Sequence, residues 1–213
     1  MINTQPLQTA AIRVTSQTVT SDWKTALPLL HAGQITLREL RLSDAPSLLA
    51  FLNTDEVSRF ISPPPTTVAG FERFIEWTRR ERAAGTYVCF GVVPDGCEHA
   101  IGLFQVRQLN GSFDIAEWGF AIGSEFWGSG VFIECARAVL AFTFDRIGAI
   151  RLEARACVAN GRGNGALQKL GATREGLLRR SFLREGEYHD QVLWSVIASD
   201  WRDSITVGSV LRH

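Results

Sequence analysis

A chain of 213 residues, 46% of them hydrophobic and 21% charged, can bury a full core in one domain or at most two. Its 22 basic residues balance 22 acidic ones, which argues against a general nucleic-acid or membrane-surface binder, since both need a basic excess. No run approaches the ~20 apolar residues of a membrane span, and the Thr/Gln-rich start lacks a signal peptide's apolar segment, so a cytoplasmic protein is expected.

Residues 1–30 read as an N-terminal extension, in which the polar, β-branched run Thr15–Thr20 has no helical period. The alternation from Gln34 to Leu40 predicts a half-buried strand. Ser43 or Asp44 then caps a helix with Pro46 in its first turn. Pro63-Pro64-Pro65 breaks the chain, Thr66 or Thr67 starts a second helix, and Gly85 ends it. Strands follow at 87–93, 99–107 and 113–122, the last two joined through the hairpin signal Asn110-Gly111. Phe132, Ala136, Val139, Leu140 and Thr143 share one helical face, predicting a long helix over about 130–147. A strand at 151–158, a short helix at 161–170 stopped by Gly171, and strands near 177–183 and 191–197 complete an α/β (α+β) pattern.

The cysteines Cys89, Cys97, Cys135 and Cys157 lie far apart without CxxC spacing, and read as small buried hydrophobes. Cys157 precedes Asn160 by three residues, but nothing nearby suggests an activating histidine, so a structural thiol is expected. The four histidines show no metal-ligand spacing, and no metal is expected.

The informative segment runs from Ile115 to Gly130: a strand, a glycine-containing loop and the start of the long helix. A helix N-terminus offers unpaired N–H groups and partial positive charge, and glycines let an anion approach them. Trp127 to Val131 therefore offers a phosphate cradle. Gly128-x-Gly130 alone is equally compatible with a tight turn. A Rossmann fingerprint fails because Ile133 stands where the third glycine belongs, and a P-loop fails because no Gly-Lys-Ser/Thr follows.

Four pieces in combination are more specific: Ala116-Glu117-Trp118-Gly119-Phe120; Trp127-Gly128-Ser129-Gly130; Ile150-Arg151-Leu152-Glu153-Ala154; and Asn160 followed by Leu167-Gln168-Lys169-Leu170-Gly171-Ala172. With the closing Gly186-Glu187-Tyr188-His189-Asp190, they make residues 34–201 resemble the GNAT N-acyltransferase superfamily, in particular its ribosomal-protein N-terminal acetyltransferase-like (Rim-type) branch. The resemblance implies a mixed, mostly antiparallel sheet of about seven strands with helices on both faces, spanning residues 31–205. It implies acetyl-CoA as the acyl donor and an amine acceptor, a protein N-terminus or a small molecule. By the same resemblance, Gly128, Ser129 and Gly130 wrap the coenzyme A pyrophosphate between Trp127 and Val131. Phe120, Ala121 and Ile122 meet the pantetheine arm where the fourth and fifth strands splay, Asn160 orients the arm or thioester, and Asn164 and Lys169 flank the cofactor.

Glu117 is the candidate base, because an attacking amine must be neutral while a lysine-type ammonium has a pKa of roughly 10.4. Burial beside Trp118 is expected to make the carboxylate more basic; the competing reading is an ordinary salt-bridged strand carboxylate. Tyr188 is the family-like position for a proton donor, or a packing tyrosine. Phe60, Ile61, Phe71, Phe74 and Trp77 are expected to wall the acceptor site, with Pro63-Pro64-Pro65 at its rim. Two departures from the family stand out: Glu125 occupies a position usually Gln or Arg, and Gly163 replaces a frequent Ser or Thr. The missing hydroxyl keeps a non-catalytic acyl-CoA-binding module open, and the chain's many arginines keep succinyl-CoA open as donor. The N-terminal extension and exposed strand edges also fit a homodimer.

Overall fold

In the computed structural model, which describes residues 22–203, the alternating run from Gln34 becomes the second strand of a hairpin. β1 (Leu30–Ala32) turns at Gly33, where φ is +60°, and pairs antiparallel with β2 (Ile35–Glu39). Three residues carry too little alternation to signal β1 in sequence, so the sheet has eight strands where about seven were expected. The run Thr15–Thr20 lies outside the described residues. Trp23, Leu27 and Leu30 pack on the core, and Trp23 meets Phe113 edge to face at 5.5 Å.

α1 (Ala45–Leu52) has Pro46 in its first turn, where the missing N–H costs nothing. Asp44 stands at its N-cap without bonding it. The fully buried Asp44 carboxylate instead accepts two 2.8 Å bonds from the Arg38 guanidinium, and one each from the N–H groups of Arg41 (2.7 Å) and Ala100 (3.0 Å). This network ties β2, the approach to α1 and the loop at Ala100 together. Burial pulls the Asp44 pKa upward, but the Arg38 hydrogen bond and the two N–H groups outweigh it, and the net shift is downward. A carboxyl acidified by folding contributes stability above its unfolded pKa of roughly 3.9 and loses it as pH falls toward the folded value. Asp44→Ala strands the buried Arg38 charge and is expected to cost about 3–5 kcal/mol. Urea melts at pH 7 and pH 3 check this: the variant should lose less stability on acidification than the parent.

α2 (Asp55–Ser58) is a single turn. α3 (Val68–Ala84) is capped by Thr67, whose hydroxyl accepts from the Gly70 N–H at 3.0 Å, and is closed by Gly85 at φ +77°. β3 (Tyr87–Pro94), β4 (Gly102–Gln108) and β5 (Ile115–Ile122) form an antiparallel meander, with Asn110-Gly111 inside a longer connection than a two-residue hairpin turn. α4 (Val131–Phe142) runs on through a wider turn (Thr143–Ile147) to Gly148, matching the expected long helix. β6 (Arg151–Cys157), α5 (Gly161–Leu170), β7 (Thr173–Arg184) and β8 (Glu187–Ile197) follow. β7 outruns the expected 177–183 because two register shifts let it bend along β8.

The sheet order is β1-β2-β3-β4-β5-β6-β8-β7, antiparallel except between β5 and β6. Strand alternation divides the core. Val88, Phe90, Phe104 and Trp118 face α4, whereas Tyr87, Cys89, Leu103 and Ala121 face α1 and α3. Cys89, Cys135 and Cys157 are buried, but Cys97 is exposed in the turn after β3, unlike the buried thiol expected there. Burial pushes the Cys135 thiol up to about 12, so it stays protonated. Among the described residues, no helix is long and apolar enough to cross a membrane.

Candidate active site

The site begins with an interrupted strand pair. β5 and β6 run parallel for three paired positions, ending at Glu117 opposite Glu153. Beyond them β5 stays paired only with β4, and β6 only with β8. The backbone edge of Trp118–Ile122 that faces β6 therefore has no strand partner, leaving groups that an extended chain can satisfy. Two cavities of about 430 Å³ each meet at this gap, and both are lined by Phe60, Ile61, Phe120, Ala121, Asn160 and Gly163.

One cavity lies at the start of α4. Gly130 is the N-cap at φ +90° and Gly128 has φ +81°, a region that glycine enters freely. A Cβ built on either would meet nothing within 4 Å, so the loop leaves open space above the first N–H groups of α4. Trp127 is fixed by its indole N–H, which donates to the Ile122 carbonyl at 2.9 Å. The Arg162 guanidinium sits 4.5 Å from the centre of that indole ring. Arg162, Ala166 and Lys169 recur at i, i+4 and i+7 on α5 and line this cavity, giving two cations against one carboxylate, Glu56. A polyanion fits this end. Glu125, one of the two departures from the family pattern, is exposed and lines neither cavity.

Asn160 caps α5, its Oδ1 accepting from the Gly163 N–H at 2.8 Å. A Cβ at position 163 would lie 2.5 Å from Asn160 Nδ2. A serine there would displace the Asn160 amide, so the missing hydroxyl and this Asn160 orientation go together.

The second cavity lies on the α1/α3 face. Phe60, Ile61, Phe71, Phe74 and the Pro63–Pro65 loop form its apolar wall, and Glu117, Gly119 and Gln105 lie along its floor. Glu117 does not sit in the apolar environment expected of it. Its carboxylate accepts from Arg107 at 2.7 Å and lies 3.8 Å from Arg155. Gln105 accepts from the Tyr87 hydroxyl, which burial keeps protonated.

Several expected residues fall elsewhere. Asn164 lines neither cavity: its amide donates to the Cys157 and Asn160 carbonyls at 2.9 and 2.8 Å and accepts from the Trp194 indole at 2.9 Å. The Ser129 hydroxyl is held by the Phe126 carbonyl at 2.7 Å, and Val131 packs on the core. Tyr188 is 60% exposed opposite Leu183 and, like Trp77 and Cys157, lines neither cavity. Arg107, Arg155, Arg162, Ser181, Phe182 and Gln191 escaped the sequence reading. Arg107 was out of its reach: a two-residue turn at Asn110-Gly111 would set it opposite Asp114, and the longer connection sets it opposite Glu117 instead.

Residues 34–173 match the acetyltransferase (GNAT) domain family. The chain belongs to the GNAT acetyltransferase family. Its curated relatives include the N-acetyltransferase YoaA of Bacillus subtilis, 24% identical over 175 residues that make up 80% of this chain and 97% of that one. They also include the ribosomal protein uS5-alanine N-acetyltransferase of Escherichia coli, 26% identical over 118 residues, 55% of this chain and 61% of that one. Among solved structures, RimJ of Mycobacterium smegmatis in complex with CoA-disulfide superposes with a TM-score of 0.74 at 21% identity, covering 85% of this chain and 93% of that one. The eight-stranded sheet with its single parallel pair is thus a GNAT fold, and the ribosomal-protein relatives support the Rim-type branch. The protein is an N-acetyltransferase of that family.

Proposed function

We propose that this GNAT enzyme moves an acetyl group from acetyl-CoA to a primary amine by direct attack in a ternary complex. The observation that carries the reading is the gap between β5 and β6, which joins a glycine-lined helix N-terminus to a cavity floored by Glu117. The donor supplies a thioester whose acyl carbon accepts the amine. The net change is R–NH3⁺ plus acetyl-CoA giving R–NH–acetyl, CoA thiol and one proton; the N–C bond forms as the C–S bond breaks.

Each residue then has a part. The α4 N-terminus at Gly128–Val131, with Arg162 and Lys169 across the cavity, receives the phosphates. The free edge of Phe120–Ile122 pairs with the pantetheine arm, and a backbone N–H there meets the oxyanion. Asn160, which lines both cavities, holds the arm or the thioester carbonyl through its amide N–H group. Glu117 takes the ammonium proton, directly or through water. The departing thiol, with a pKa of roughly 8.5 by analogy with cysteine, needs little acid assistance, which suits a site without a hydroxyl at position 163. Holding amine and thioester together supplies much of the rate.

Calorimetric titration with CoA, acetyl-CoA and succinyl-CoA tests the donor reading. Acetyl-CoA is expected to bind at least as tightly as succinyl-CoA. Preference for succinyl-CoA would overturn the donor, and no binding by any of the three would overturn the cofactor site.

A further inference from the structure

The acceptor cavity carries a charge pattern that acetyl transfer alone does not use. Among the described residues, its charged lining is Glu117 and Arg155. Both lie on one face of the sheet: Glu117 pairs with Glu153 in the last parallel position, and Arg155 is two residues further along β6, at the first step past the splay. Arg107, the antiparallel partner of Glu117, already holds the carboxylate at 2.7 Å. Arg155 Nε stands 3.8 Å from the same oxygen, beyond hydrogen-bonding reach, and its guanidinium makes no hydrogen bond among the described residues. A planar fork of five donors at a cavity wall, with its side chain 37% exposed and a long ion pair to Glu117 but no hydrogen bond among the described residues, can take a bidentate carboxylate.

We propose that the acceptor is a free α-amino acid with an apolar side chain; this rests on the acetyl-transfer reading above. Its ammonium meets Glu117, its carboxylate meets Arg155, and its side chain meets Phe60, Ile61, Phe74 and the Pro63–Pro65 loop. The amine and carboxylate of an α-amino acid are separated by a single carbon. With both held at hydrogen-bond distances of ~2.8 Å, they close a ring of alternating charges with the neighbouring Glu117 and Arg155. A polypeptide N-terminus has an amide where this carboxylate would be, and leaves Arg155 with no more than its long ion pair to Glu117 among the described residues. The cavity of about 430 Å³ also has the size of a small-molecule site.

Phenylalanine, leucine, their carboxamides and peptides beginning with the same residues are compared as acceptors at fixed acetyl-CoA. Readouts are thiol release and the mass of the acetylated product. Binding of phenylalanine to the CoA complex is measured by calorimetry, for the parent and for Arg155→Met. The free acids are expected to exceed both carboxamides and peptides by about 100-fold in kcat/KM, the scale of a lost charged partner. Arg155→Met should remove that preference by raising KM for the acids, and Arg155→Lys should restore part of it. Carboxamides or peptides performing as well as the acids, a preference that survives Arg155→Met, or no amino-acid binding to the CoA complex would each overturn the proposal. Failure of CoA itself to bind strikes instead at the acetyl-transfer reading.

Discussion

Glu117→Gln is expected to lower kcat for acetyl transfer by about 100-fold or more, while KM for acetyl-CoA stays within a few-fold, the range for loss of a positioned general base. The substitution keeps the shape of the side chain and removes only its ability to take a proton. Glu117 is the carboxylate on the floor of the acceptor cavity, one residue before β5 loses its parallel partner. Its ion pair with Arg107 is the alternative explanation for its presence, and the two roles separate cleanly. Arg107 is about half exposed, and such pairs contribute about 0–1 kcal/mol. Arg107→Gln breaks the same pair from the other side and is expected to cost under ~10-fold in kcat. Equal losses in the two variants would make Glu117 a structural carboxylate, and full turnover in Glu117→Gln would remove it from the chemistry altogether.

Gly130→Trp is expected to weaken CoA binding by at least ~100-fold while circular dichroism stays that of the parent. Two effects act together. Position 130 sits at φ +90°, and a side chain there costs about 1–2 kcal/mol in the left-handed region. Its Cβ would project into space where, among the described residues, no atom beyond its chain neighbours lies within 4 Å, and an indole would fill the volume over the first turn of α4. Because that space is empty, the fold tolerates the side chain and the ligand does not. CoA binding that survives this variant would move the phosphate site elsewhere.

The sequence held more of the fold than of the acceptor site. The stripe of Ala136, Val139 and Leu140 on α4, continued by Thr143 in the wider turn, is buried as its 3.6-residue period requires, and Thr67, Gly85 and Gly171 punctuate helices through local hydrogen bonds. Such signals lie within a few residues of one another. β1 went unread because three residues carry no period, and Asp44 was read as a helix cap because its real partners, Arg38 and Ala100, come from separate strands and loops. The same limit governs the site. The glycine loop before α4 is contiguous and was legible. Arg155 becomes a neighbour of Glu117 only once β6 is known to lie beside β5 in parallel, a crossover that no local pattern encodes. Asn164 shows the converse: its motif position was plain, but its amide is fully engaged by two carbonyls and the Trp194 indole.

The most direct test is a stoichiometric one, in which purified protein, acetyl-CoA and a panel of free amines and peptide N-termini are mixed, and released thiol and acetylated product are counted together. Amine-dependent thiol release is expected, with one N-acetylated product per thiol. CoA binding with no amine-dependent release across the panel would contradict it, leaving a chain that holds the donor and transfers nothing.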